Sequence, residues 1–175
     1  ALIELLGDAL KNIDLDINNR LVDVGTGSGV LGITAKLEYP ELDVALLVND
    51  RHTLAVASSN AELLDADVLT LESDLLTVYP YVASVIIANL PYVDKDWERS
   101  PDIQHEPTDA LFADQNGLAI IFQLIEQSPK RLILGGALIL EADPIQHDAI
   151  IEYGQKHGLL LQKRQGYGLL LNKVA

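Results

Sequence analysis

The chain has 175 residues, 49% of them hydrophobic and 22% charged, a composition suited to one compact globular domain. No apolar run approaches the ~20 residues needed to cross a bilayer and no basic, apolar leader opens the chain, so the expected address is the cytoplasm, with no membrane partner. The absence of cysteine excludes disulfide and thiolate-zinc chemistry, and a net charge of -14, from 12 basic and 26 acidic residues, argues against tight non-specific binding to nucleic acid.

Leu2, Leu5, Leu6, Ala9 and Leu10 recur at helical spacing and predict an amphipathic first helix ending near Asn12. Arg20 to Val24 reads as a short apolar strand running into Gly25. Val30 to Glu38 reads as a helix that Pro40 stops. A buried-type strand follows from Val44 to Val48, then a helix over residues 52–64 and a strand from Val68 to Leu71. Ala83 to Ala88, apolar but for Ser84 and rich in β-branched residues, reads as a strand covered on both faces.

Val93 to Gln115 has no periodicity and holds seven acids against two bases. A stretch of this kind inside a domain is usually functional or disordered, and its charge suits a basic partner. Gly117 to Gln127 returns to helix, Ala137 to Glu141 to strand, and Ile145 to His157 to helix. The tail from Leu159 to Val174 reads as two strands around Gly166 and Gly168. Strands alternating with helices predict an α/β, Rossmann-like fold: a seven-stranded, mostly parallel sheet with helices on both faces and an antiparallel C-terminal hairpin. In such sheets ligands bind beyond the carboxyl ends of the strands, so residues that follow strands are the candidates.

Asp23-Val24-Gly25-Thr26-Gly27-Ser28-Gly29 joins the first strand to its helix, where glycines let the backbone turn sharply against a ligand. The same segment also reads as G-x-G-x-x-G from Gly27 to Gly32, so glycine spacing leaves nicotinamide and adenosylmethionine cofactors both open. Asp50, after the second strand, suits the ribose of either. Asp23 favours the sulfonium cofactor, because a carboxylate there suits a cationic methionyl group better than a pyrophosphate. Asp74, after the third strand, suits an adenine amino group. The plain alternative for the glycines alone is a tight strand-to-helix connection.

Asn89-Leu90-Pro91-Tyr92 closes the fourth strand. It suits methylation of a planar nitrogen, whose delocalised lone pair is a poor nucleophile. Such a reaction is helped by fixing both N–H bonds so that the lone pair faces the methyl group. The Asn89 oxygen can accept one hydrogen and the Leu90 carbonyl the other, Pro91 fixes φ near about -65°, and Tyr92 offers a flat face. In isolation the tetrapeptide is equally a strand end, a proline stop and a core tyrosine.

Taken together, Asp23 to Gly29, Asp50, Ser73-Asp74, Asn89 to Tyr92, Glu106-Pro107, Ala110-Leu111, Gly117-Leu118 and Leu138 to Glu141 resemble the class I adenosylmethionine-dependent methyltransferases of the HemK/PrmC type. The resemblance implies methyl transfer to the glutamine amide in the Gly-Gly-Gln loop of peptide-chain release factors, with adenosylhomocysteine as product. It implies cofactor binding by Asp23, Gly25, Thr26, Gly27, Ser28, Gly29, Asp50 and Asn89, with Asp74 and Leu75 flanking the adenine. Asn89, Leu90, Pro91 and Tyr92 would meet the substrate, and Asn89, Pro91 and Tyr92 would serve catalysis. It further implies one catalytic domain over 1–175, with 1–18 a connecting helix and the family's N-terminal docking domain absent.

The family usually has proline at the place of Leu90, and Asn-Leu-Pro-Tyr also occurs in RNA adenine dimethyltransferases. Adenine methylation therefore stands as an alternative, and a catalytically silent cofactor-binding module as another. His52, His105, His147 and His157 show no ligand spacing, so no metal is expected. Trp97 is either a substrate anchor or a packing residue, and Glu106 is expected to support its loop.

Overall fold

The computed structural model describes residues 1–90 and 118–174. In chain order the elements are α1 (Leu2–Leu10), β1 (Arg20–Val24), α2 (Val30–Glu38), β2 (Asp43–Val48), α3 (Arg51–Leu63), β3 (Val68–Glu72) and β4 (Ala83–Ala88). Then follow α4 (Ala119–Gln127), β5 (Leu132–Glu141), α5 (His147–Lys156), β6 (Leu159–Gln165) and β7 (Gly168–Lys173). All seven strands form one sheet in the order β3-β2-β1-β4-β5-β7-β6. β1 to β5 are parallel, and β7 runs antiparallel between β5 and β6, which places the expected hairpin at one edge.

Every residue of β4 is buried, as expected of a central strand, and its one polar side chain, Ser84, donates to the Arg20 carbonyl at 2.9 Å. Alternation then sorts side chains between two cores. Val22, Val24, Ile86 and Ala88 face one, and Leu21, Val85 and Ile87 the other. Helix α1 belongs to the second core through Leu2, Leu5, Leu6 and Ala9. Its approach to the hairpin is close: a Cβ on Gly168 would lie 2.6 Å from Leu5 Cδ1.

Several element ends shift by one or two residues from the sequence expectation, and two differences have a local structural cause. β5 begins at Leu132, not Ala137. Gly135, at φ +77°, falls where the pairing with β4 slips between Ala83 and Val85, so the glycine pair makes an irregularity within the strand instead of ending it. The helix expected from Ile145 begins as a 3-10 turn, Pro144–Gln146. Asp143 caps it by accepting from the Ile145 N–H at 3.0 Å, and the Gln146 side chain accepts from the Asp143 N–H at 3.2 Å. The acidic stretch Val93 to Gln115, with Trp97 and Glu106, lies outside the described residues.

Leu5 is fully buried between α1 and the sheet. Leu5→Ala is therefore expected to cost about 2–5 kcal/mol in chemical denaturation, by lost transfer energy and a residual cavity. A cost below about 0.5 kcal/mol would mean that α1 is an appendage and not part of the core.

Candidate active site

The strand order reverses beside β1, and the candidate residues gather there. Val24 pairs with Leu47 on one side and Ala88 on the other, so the chain leaves β1 and β4 at the same level of the sheet. Gly25 and Thr26 then turn back onto β2, both donating main-chain N–H bonds to the Leu47 carbonyl, at 2.8 and 3.0 Å. Gly25, Gly27 and Gly29 all have positive φ, at +70°, +56° and +90°. A Cβ on Gly27 would meet no atom within 4 Å, so the loop is open on that side. On its other side Asn60 of α3 donates to the Ser28 carbonyl at 2.9 Å and holds the loop down.

Asp23 lies beneath this loop, fully buried. Its Oδ2 accepts from the Thr26 hydroxyl at 2.5 Å and from the Gly32 N–H at 2.9 Å. Its Oδ1 is buried without a partner among the described residues. Burial raises its pKa to about 6, against the opposing pull of Thr26 and Gly32. A buried carboxylate with one orphaned oxygen suits an incoming cationic donor. Gly32 is itself required by this packing, since a Cβ there would lie 2.2 Å from Leu46 Cδ2 and 3.1 Å from Asp23 Oδ2.

Asp50 follows β2 by two residues and caps α3. Its Oδ2 accepts from both the N–H and the hydroxyl of Thr53, each at 2.6 Å. These bonds, that of the side chain first, hold its carboxyl below the usual aspartate range. After β3, the Ser73 N–H donates to the Val48 carbonyl at 2.9 Å, tying this exit to that of β2. The exposed Asp74 and buried Leu75 form a tight turn in which Leu75 takes φ +48°, a left-handed conformation that disfavours leucine. The Ser73 hydroxyl sustains it by donating to the Leu75 carbonyl at 2.8 Å.

After β4 come exposed Asn89 and buried Leu90. Leu90 packs directly against the glycine loop: a Cβ on Gly25 would fall 2.6 Å from Leu90 Cδ2. The structure thus brings the start of the Asn-Leu-Pro-Tyr turn to the glycine loop, and Asn89 is not turned into the interior. Pro91 and Tyr92 lie outside the described residues. Sequence reasoning missed Asn60, whose bond to Ser28 spans 32 positions and leaves no local signal. It also left unassigned the packing of Gly32, the last glycine of the second parse. His147 is buried and bonds the Ala142 carbonyl through Nε2 at 3.1 Å.

Residues 4–108 match the model of the methyltransferase small domain family. The chain belongs to that family. It is 33% identical to the release factor glutamine methyltransferase of Deinococcus radiodurans over 142 residues, covering 80% of this chain and 51% of that protein. The corresponding Staphylococcus aureus protein is 36% identical over 144 residues, covering 78% and 51%. The chain therefore spans about half the length of these curated relatives. Among solved structures, a 16S rRNA methyltransferase of T. thermophilus in complex with AdoMet and guanosine superposes with a TM-score of 0.71 at 17% identity, covering 99% of this chain and 42% of that one. The fold is that of class I methyltransferases, and the relatives bear out the HemK/PrmC resemblance.

Asp23 gives a stability test whose sign is fixed by its raised pKa. The folded protein holds this proton more tightly than the unfolded chain, so the group's contribution is complete below pH ~4 and lost as pH rises through about 6. Asp23→Asn keeps an acceptor for Thr26 and Gly32 without a buried charge. The variant is expected to gain thermal stability over the parent as pH rises from 5 to 8, by scanning calorimetry without ligand. A pH-independent difference would show that Asp23 is not buried as a titrating acid.

Proposed function

We propose that the protein is an adenosylmethionine-dependent N-methyltransferase of a protein glutamine side chain, acting in the cytoplasm on the Gly-Gly-Gln loop of a peptide-chain release factor. One observation carries this reading: Leu90 touches Gly25, so the turn with Asn89 and the glycine loop share one wall at the strand-order reversal. The names of the curated relatives support the same substrate. Among the described residues no helix is long and apolar enough to cross a membrane.

The residues present fit the cofactor. Asp23 offers an unpartnered buried oxygen to the methionyl ammonium, and Gly25 to Gly29 form a loop open at Gly27. Asp50 offers an ionised carboxylate for the ribose, and Asp74 and Leu75 flank the adenine. When bound, adenosylmethionine supplies a methyl group on a positively charged sulfur.

The chain's own task is orientation. Asn89 Oδ1 accepts one hydrogen of the substrate amide and the Leu90 carbonyl accepts the other, which leaves the nitrogen lone pair free to attack. No strong base is needed, because the nitrogen becomes acidic as it gains the methyl group and then gives its proton to solvent water. Pro91 and Tyr92, which the sequence also assigns to the substrate, lie outside the described residues. With leucine in place of the family's usual proline, only the carbonyl of residue 90 is used, and its side chain packs the turn onto Gly25.

The test is incubation with labelled adenosylmethionine and, separately, a release factor, a Gly-Gly-Gln peptide and total RNA. Label is expected in the release factor on glutamine, and label in RNA alone would overturn the substrate assignment. Asn89→Ala is expected to lower kcat by about 10²-fold or more with cofactor affinity within a few-fold of the parent. Activity within a few-fold of the parent would remove Asn89 from the reaction. Because Asp23 must be ionised to pair with an ammonium, adenosylmethionine binding measured by calorimetry is expected to weaken below pH ~6. Asp23→Asn is expected to flatten that dependence.

A further inference from the structure

In so acidic a protein the placement of unpaired cations is informative. The chain has 12 lysines and arginines, and two of them, Lys95 and Arg99, lie outside the described residues. Of the ten described, six sit on carboxylates, and Lys36 and Lys173 bond main-chain carbonyls. Among the described residues only Lys130 and Arg131 have neither kind of partner. They are sequence neighbours at the entry to β5, and both line one hollow of about 520 Å³ with Leu76, Thr77, Glu126 and Gln127.

The remaining polar groups of this hollow are already oriented. Gln127 Oε1 accepts from the Leu76 N–H at 2.9 Å, which fixes the carboxamide and leaves its NH2 as donor. The Thr77 hydroxyl donates to the Asp74 carbonyl at 2.7 Å. Glu126 accepts from the Tyr153 hydroxyl, so its charge is held by a partner on α5. The wall thus presents a guanidinium, an ammonium and an amide NH2, with one carboxylate already engaged and an apolar side in Leu76.

The geometry points to a second binding site, for a small phosphate monoester: the phosphate on Arg131, Lys130 and the Gln127 amide, the organic body against Leu76 and Thr77. Guanidinium and ammonium together match a tetrahedral dianion, the former by paired N–H bonds. The volume falls within the ~300–1,000 Å³ usual for small-molecule sites and exceeds what a bare phosphate fills. The wall carries two positive charges and one negative, too weak a field for a polyanion on a protein of charge -14. The site is separate from the glycine loop, and neither cation is part of the proposed methyl-transfer machinery.

The experiment is titration calorimetry of the whole protein with ribose 5-phosphate, inorganic phosphate and ribose, probes that lack the adenine required by the other cleft. Ribose 5-phosphate is expected to bind saturably, inorganic phosphate more weakly and ribose not at all. Arg131→Gln and Lys130→Gln are each expected to weaken ribose 5-phosphate about tenfold, the worth of a charge-assisted hydrogen bond. Among the described residues neither side chain has a hydrogen-bond or ion-pair partner, so both variants are expected to keep the parent's circular dichroism and its adenosylmethionine affinity. Ribose 5-phosphate is also expected to raise the melting temperature of the parent and not of the double variant. Absent saturation, equal binding by ribose, or affinity unchanged in Arg131→Gln would overturn the site. Equal affinity for inorganic phosphate would overturn the monoester.

Discussion

The site depends on the pairing of β1 with β4. Two parallel neighbours are held about 4.8 Å apart by their hydrogen bonds, so two loops leaving them at the same level must meet. The meeting is close enough that residue 25 has no room for a Cβ beneath Leu90. The distance between a glycine loop that can hold one reactant and a turn that can hold the other is therefore set by the rigid sheet. Alignment of this kind is worth most to a reaction whose nucleophile is weak and whose catalysis is orientation.

That arrangement opposes local stability at two places. Asp23 is an acid in the core with one oxygen unsatisfied, and Leu75 occupies a backbone region that costs a non-glycine residue on the order of 1 kcal/mol or more. Neither is needed to hold the sheet together, since the surrounding cores are apolar and continuous. Both lie at strand exits on the carboxyl edge, where ligands of such sheets bind. Comparable departures occur away from that edge, in Asp65 at φ +53° and, among the described residues, in the unpartnered Asn172 Oδ1, so it is the position of Asp23 and Leu75 at strand exits, and not their number, that ties them to the proposed cleft.

Much of this was legible because the punctuation is local. β1, α2 and β4 carry the bounds expected of them: Gly25 follows the first, Gly29 and Pro40 frame the second, and Asn89 follows the last. β5 was read short because two glycines inside a strand look like its end, and only the register with β4 shows that the strand continues through them. Asp50 is recognisable as a carboxylate after a strand, yet its hydrogen bonds to Thr53 depend on a side-chain conformation that no spacing encodes. The contacts from Leu90 to Gly25 and from Asn60 to Ser28 join distant positions, and such pairs become visible only once the sheet order is known.

Helix α3 then has a second task beyond covering the sheet. Its first turn is capped by Asp50, and Asn60, about three turns further on, holds the Ser28 carbonyl. One rigid body therefore carries the carboxylate proposed for the ribose and also the clamp on the glycine loop. A shift of α3 along its axis would displace both together and keep their spacing, whereas loss of either bond alone would separate them. Asp50 suits this role because an aspartate is ionised across the physiological range and its bonds with Thr53 lower its pKa further while fixing where the carboxylate sits, so the cap that starts the helix also holds a charge at the proposed cleft. Secondary-structure capping and ligand geometry are in this way one set of hydrogen bonds, which explains how a domain of this size can define a cleft using single residues at strand exits.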